Sequence, residues 1–473
     1  MFRRFLSFLL CFLLAFGSAA VYAAAEDVSR VSCCVCGNDG RGFSWFTGEK
    51  SGSDVELLKT EAFNGSFAGA ACFSGKATRY RGRFSHHVFV TGLEKGTGYT
   101  YRVGDSKTGV WSAPCTFVTD NGDDKVSFLA IADVQAGSRA NFERAAKVLA
   151  AGLETLPETE FCVNLGDYVN DNTNEEWDWY FDTFSFANGR LTHVPVAGNH
   201  DGNITNKLNT FCFPSMFCLD TSANRSLEGV YYSFDWGNIH FAVLNTNDMY
   251  PMSQAQRNWF VNDMTAADAQ WKVVLMHRSL YSAGKNINKP DTVVMRNDLL
   301  PLMDKLEIDL VLSGHDHMYL RTAPLRGEKK AETSTVEDAF RGETLPFLKD
   351  PAGTVYALPS TAGTKRYAVN ENALPPILDV ADKVFSTRDL GGCFAAVETE
   401  GNKLVYKSYC VNDETQAVTE VDRFAILKTT LPAADPVGRD ATLFSTVVCW
   451  PFNLVKAVVQ LLFSYAKLLS RVI

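Results

Sequence analysis

The run VSFLAIAD, residues 126–133, decides the fold. A strand-length apolar run ends at a carboxylate, and an amphipathic stretch, NFERAAKVLAAGL at 141–153, follows it. The same texture repeats down the chain. FCVNL ends at Gly166-Asp167, the short VPVA at Gly198-Asn199-His200-Asp201, WKVVLM at His277, and IDLVLS at Gly314-His315-Asp316-His317. Apolar strands alternating with longer amphipathic segments specify an α/β domain with a largely buried sheet. Ligands in such domains bind beyond the carboxyl ends of the strands. Carboxylate, amide and imidazole groups are therefore expected at five strand ends along one edge of one sheet. Of the 8 histidines in the chain, His200, His277, His315 and His317 fall in this set. A lone histidine at a strand end reads as a turn or surface residue, but five ordered coincidences do not arise by accident.

Mixed oxygen and nitrogen donors suit hard or borderline divalent and trivalent metals such as iron, manganese and zinc. With five or more converging donors, two ions fit better than one, and Asp167 is the natural bridge because one carboxylate can ligate two cations. A pair of ions about 3.5 to 4 Å apart lowers the pKa of a shared water and clamps an in-line displacement at phosphorus. The chemistry expected is phosphoester hydrolysis.

Residues 26–120 read differently. Short alternating runs such as Gly42 to Phe46, His87 to Thr91 and Tyr99 to Val103 are separated by Gly, Ser and Asn clusters, the pattern of an all-β sandwich. The segment HVFVTGLEKGTGYTYRVGD, 87–105, resembles the late strands of a fibronectin type III-like module, with Tyr99 or Tyr101 as its corner tyrosine. Such a module is expected to act as a spacer, joined by the polar linker TDNGDDK at 119–125.

Taken together, the ordered set Asp133, Gly166-Asp167, Gly198-Asn199-His200-Asp201, His277 and Gly314-His315-Asp316-His317 resembles the calcineurin-like metallophosphoesterase superfamily. The β-module, MHRSLYS at 276–282 and GHDHMYLR at 314–321 are similar to its purple acid phosphatase-like branch. The resemblance implies an αββα two-sheet domain over 125–430, preceded by the fibronectin type III-like sandwich. It implies that Asp133, Asp167 and His317 hold one metal, and that Asp167 bridges to a second held by Asn199, His277 and His315. The two ions would be iron paired with iron, manganese or zinc. His200, oriented by Asp201, would contact the phosphate or protonate the leaving oxygen. The substrate implied is a small phosphomonoester, with a phosphodiester of a nucleotide or lipid head group as the alternative. An inert surface-binding protein is a third reading, disfavoured because inert relatives usually lose ligands.

The chain also departs from that pattern. The branch places a metal-binding tyrosine three residues after the bridging aspartate, where this chain has Asn170, and Tyr168, directly after Asp167, should point elsewhere. Gln135 stands where many members have a histidine, and its amide oxygen could join the first metal. Asn286 occupies the position of a second histidine beyond His277, which leaves His200 as the better proton donor.

The two ends are apolar. MFRR, then FLSFLLCFLLAFG, then AVYAAAE is the pattern of a secretory signal peptide over 1–25, cut after Ala23 or Ala25. The expected location is therefore secreted, periplasmic or cell-surface. At 444–473 an amphipathic helix is expected, with Lys456, Lys467 and Arg471 in its polar stripe. It would lie in a membrane interface or dock on protein. The net charge of −9 argues against nucleic-acid binding. The 12 cysteines, in an exported chain, suggest disulfides. Cys212 with Cys218 and Cys393 with Cys410 are the geometric candidates, Cys33, Cys34 or Cys36 would pair with Cys72 or Cys115, and Cys162 would be a buried thiol.

Overall fold

Strand Leu310–Gly314 shows why the chain folds as it does. Its side chains alternate between two apolar cores, Leu310 and Leu312 in one and Val311 in the other. Strand Trp271–Arg278 does the same, with Val273 and Leu275 on one side and Val274 and Met276 on the other. A strand apolar on both faces must be covered on both. The structure is a computed structural model that describes residues 28–202, 212–220, 230–248, 251–370 and 375–429. The expected signal peptide and C-terminal helix, with Cys11 and Cys449, lie outside the described residues.

Two sheets face each other. The first has seven strands, and its central members Ile239–Leu244, Trp271–Arg278, Leu310–Gly314 and Val355–Pro359 run parallel. Helices Gln254–Ala266 and Pro290–Lys305 cover its outer face through Phe260, Met264, Leu299 and Met303. The second sheet has twelve strands, with Ser127–Ile131, Phe161–Asn164 and Thr192–Pro195 parallel at its centre and Gly392–Glu400 antiparallel beside them. Helix Arg139–Thr155 packs on it so closely that a Cβ on Gly152 would come 3.1 Å from Leu129. Aromatic rings fill the space between the sheets, with Phe128 edge-on to Phe241 at 5.5 Å and Phe161 edge-on to Phe234 at 6.1 Å. This is the expected αββα sandwich.

The N-terminal sandwich is also present, around Phe43, Trp45, Val55, Val88, Tyr101 and Phe117. Tyr99 is its corner tyrosine, since the Glu94 amide donates to the Tyr99 hydroxyl at 3.0 Å. The expectation of a spacer is corrected. Strand Ser29–Cys36 pairs in parallel with Thr192–Pro195 at Cys34 and His193, so the large sheet runs from the module into the α/β domain. Buried polar groups fix the junction. Arg41, 1% exposed, donates from Nε to the Thr192 hydroxyl at 2.9 Å, and the Tyr101 hydroxyl donates to the Gly189 carbonyl at 2.8 Å.

The described cysteines are thiols. Cys393 and Cys410 oppose each other in register with Sγ atoms 2.7 Å apart. The Cys212–Cys218 closure is not formed. The Cys212 thiol meets the Asp201 carbonyl and the Asn172 amide, whereas the Cys218 thiol meets the Val88 carbonyl. Cys33 and Cys115 share the module core, while Cys72 is exposed. Burial pushes the Cys162 thiol up to about 12.

Candidate metal centre

The strand ends meet across the sandwich rather than along one sheet. Asp133, Asp167 and Asn199 follow strands of the twelve-stranded sheet, while His277, His315 and His317 come from the facing seven-stranded one. Two sheets whose carboxyl ends face the same mouth can surround a ligand that one edge could only line.

The backbone bends sharply to present these groups. Asp133, Asp167 and His315 have φ of 53°, 54° and 76°. Residues with a Cβ avoid this region, at a cost of about 1 to 3 kcal/mol each, and persist there only when the surroundings hold them. Close approach explains two glycines. A Cβ on Gly314 would come 2.7 Å from Asp133 Oδ2, and one on Gly198 would overlap the Asp167 amide and carboxylate.

One donor from each of Asp167, His277 and His315 lies within 4.8 Å of the others. His277 Nε2 is 3.3 Å from Asp167 Oδ1 and 3.2 Å from the Asn199 amide oxygen. Asp133 Oδ1 adjoins this group, 4.0 Å from His277 Nδ1 and 3.5 Å from His317 Nε2. The structure thus brings Asp133, Asp167, Asn199, His277, His315 and His317 together. Backbone carbonyls set two of the imidazoles: His277 Nδ1–H donates to Leu165 at 2.9 Å, and His317 Nδ1–H to Lys365. Hydrogen bonds of this kind direct Nε2 toward a cation.

The electrostatics fit a metal. Burial pushes Asp133 well above the usual carboxylate range, reinforced by Asp167 and opposed by His277. Burial lowers His277, but the Asp167 and Asp133 carboxylates outweigh it and raise the ring to about 9. Burial holds His315 well below its ordinary value, and its Nε2 is buried without a hydrogen-bond partner. Carboxylates, an amide oxygen and imidazoles on a water-poor floor are the donor set of hard or borderline cations, and a cation there would take the place of the proton that the carboxylates hold on His277.

The remaining expected residues are placed less simply. The His200 amide donates to Asp167 Oδ1 at 2.7 Å, and its ring Nδ1–H donates to the Asn170 carbonyl at 2.5 Å. Asp201, expected to orient this ring, bonds the backbone of the surrounding loops. It is fully buried and accepts from three backbone amides, Asp167 at 2.9 Å, Tyr168 at 2.8 Å and Gly198 at 2.8 Å, so it positions the ligand loops. The Gln135 amide oxygen is taken by Lys365 Nζ at 3.2 Å. Tyr168 faces away from the donors, its hydroxyl 3.0 Å from His193 Nε2, and the Asn170 side chain bonds Asp171.

Several neighbours escaped sequence reasoning. The Asn247 side chain donates to the Gly198 carbonyl at 3.1 Å, and the Thr361 hydroxyl to the Asp133 carbonyl at 2.6 Å. Tyr367 stacks on His317 at 4.5 Å between ring centroids. These residues lie far along the chain, and no local pattern marks them.

Residues 126–319 match the family described as calcineurin-like phosphoesterase, and residues 33–119 the purple acid phosphatase N-terminal domain. An uncharacterized protein of Mycobacterium tuberculosis is 28% identical over 207 residues, 40% of this chain and 39% of that one. Purple acid phosphatase 23 of Arabidopsis thaliana is 24% identical over 268 residues, 51% of this chain and 58% of that one. The chain therefore spans only about 40 to 60% of the length of these curated relatives. The structure of purple acid phosphatase PPD1 from yellow lupin (Lupinus luteus) seeds is similar in fold, with a TM-score of 0.68 and 16% identity over 85% of this chain and 74% of that one.

Proposed function

The chain belongs to the calcineurin-like phosphoesterases, in the purple acid phosphatase-like branch, and from that premise we propose that it is a metal-dependent phosphatase hydrolysing phosphomonoesters at a two-metal centre. The observation that carries the reading is the convergence of Asp167, His277 and His315 beside Asp133 and His317. Asp133 and His317 would hold one ion, Asn199, His277 and His315 the other, and Asp167 both. Iron paired with iron, manganese or zinc would supply Lewis acidity at the phosphoryl oxygens.

The chain's own residues do the rest. His200, on the loop whose amide binds Asp167, donates a proton to the leaving oxygen, a contribution of about 10²- to 10⁴-fold for a positioned imidazole. Asp201 keeps both ligand loops in register through their amides. The positive charge of bound metal ions would favour a dianionic monoester over a monoanionic diester. Rates on 4-nitrophenyl phosphate and bis(4-nitrophenyl) phosphate test the assignment. The monoester is expected to have the higher kcat/KM by roughly tenfold or more; faster diester cleavage would move the chain to the phosphodiesterases.

The location proposed is secreted, periplasmic or cell-surface, with peripheral membrane contact through 444–473. Its support is the sequence pattern of both ends, and N-terminal sequencing of the mature protein tests it. In such a compartment Cys393 and Cys410 would form a cross-strand disulfide, which non-reducing peptide mapping would recover as one linked fragment.

A further inference from the structure

We infer that Lys285 and Tyr367 form a subsite for a second anionic group on the substrate, so that phosphomonoesters bearing another phosphate near the scissile ester are preferred. The inference rests on the phosphatase reading above and deepens it.

A stack beginning at a metal ligand locates the subsite. The Tyr367 ring lies on His317 at 4.5 Å and 11°, and Lys285 Nζ sits 4.3 Å from the centroid of the Tyr367 ring. Both partners are held. The Tyr367 amide donates to the His317 carbonyl at 2.8 Å, and the Asn370 amide to the Ala283 carbonyl at 2.7 Å, lacing this segment to the metal loop and to the turn carrying Lys285. On the turn, the Asn286 side chain donates to Asp316 Oδ1 at 2.7 Å, between the ligands His315 and His317. A Cβ on Gly284 would come 2.5 Å from the Asp316 carboxyl carbon, so the turn lies directly against that loop. The backbone of Lys285 is thus fixed relative to the metal centre while its side chain is exposed.

The cation's partners give the chemistry. Arg278 is paired with Asp291 at 2.5 Å, Arg366 with Asp413 at 2.6 Å, and Lys365 with Gln135 at 3.2 Å. Among the described residues no carboxylate lies within ion-pair distance of Lys285, and a ring face holds it. A ring face attracts the ammonium only through its quadrupole, whereas a phosphate offers it full charge and several acceptor oxygens. An anion delivered by a bound substrate therefore displaces the ring as the better partner.

The test uses full-length protein purified without chelators. Calorimetric binding of methylenediphosphonate and methylphosphonate is measured for wild type, Lys285→Gln and Lys285→Arg. Wild type is expected to prefer the diphosphonate, and Lys285→Gln to lose roughly tenfold of that preference with methylphosphonate affinity unchanged. Lys285→Arg is expected to retain it. Equal losses on both ligands, or no loss on either, would overturn the subsite. Because methylphosphonate binding reports the metal centre by itself, its failure in wild type would count against the phosphatase reading, separately from the subsite. In turnover, Lys285→Gln should raise KM for a bisphosphate ester while leaving kcat and the 4-nitrophenyl phosphate constants within about twofold.

Discussion

Asp201 illustrates how a single side chain can matter without touching the reaction. Its two oxygens accept from the amides of Asp167, Tyr168 and Gly198, and burial, reinforced by the Asp167 charge, raises it to about 7. An amide side chain offers one acceptor oxygen and turns an N–H₂ toward amide donors. Asp201→Asn should therefore weaken metal retention by about 10- to 100-fold and lower stability by roughly 1 to 3 kcal/mol; competition with a chelator and urea unfolding measure the two effects. Unchanged metal retention would show that the amides hold their places without the carboxylate. Asn170 leads to a spectroscopic prediction. Its side chain bonds Asp171, and Tyr168 is turned to His193, so no phenolate reaches the metals from this loop. The metal-loaded protein should lack a strong visible charge-transfer band, and an intense one would contradict this placement.

The residues expected to hold metal were legible in the sequence because each is in a short polar motif immediately after an apolar strand, and parallel topology brings such ends together. The function of Asp201 was not, since its neighbours in sequence suggested His200 while the amides it binds come from two loops. Lys365 and Tyr367 were invisible for a related reason. They reach His317 from 48 and 50 residues downstream, through a carbonyl and a stacked ring.

At the scale of elements, the hairpin of Tyr232–Trp236 and Ile239–Leu244 carries a pH-dependent clamp. His240, opposite Asp235 in register, meets its carboxylate at 2.6 Å and that of Asp263, on helix Gln254–Ala266, at 2.9 Å. Burial lowers the ring's proton affinity, but the two carboxylates outweigh it and raise His240 to about 9. The unfolded value is about 6.5. The protonated clamp therefore stabilises fully below that pH, and its contribution is lost as pH rises toward 9. His240→Gln should reduce stability by on the order of 2 kcal/mol at pH 6, and by much less at pH 9.5. Denaturant unfolding of both proteins at the two pH values measures this; a pH-independent difference would show that packing, not charge, is what the ring contributes. The alternation of apolar residues identified these strands, but a strand pattern does not name its partner. For that reason the parallel pairing of Ser29–Cys36 with Thr192–Pro195 was not foreseen and the Cys212–Cys218 pairing was misjudged.

For the whole molecule, that shared sheet makes the N-terminal module part of the α/β body. The described residues fall in one contact unit, and buried Arg41, Tyr101 and Arg30 cross the junction to Thr192, Gly189 and Asp178. Urea unfolding followed by tryptophan fluorescence and far-UV circular dichroism should give one coincident transition. An early separate loss of β-structure would mean that the module folds alone. Secretion and membrane contact rest on the two ends of the chain.

Asp133, Asp167, Asn199, His277, His315 and His317 are proposed to form a metal centre that hydrolyses phosphomonoesters. Elemental analysis with 4-nitrophenyl phosphate turnover, on wild type and Asp167→Asn purified without chelators, tests it most directly. Close to two metal ions per wild-type chain with measurable hydrolysis are expected. In the variant, loss of at least one ion and a fall in kcat/KM of roughly 10³-fold or more are expected. A metal-free, inactive wild-type protein, or a variant with undiminished metal and activity, would contradict that proposal.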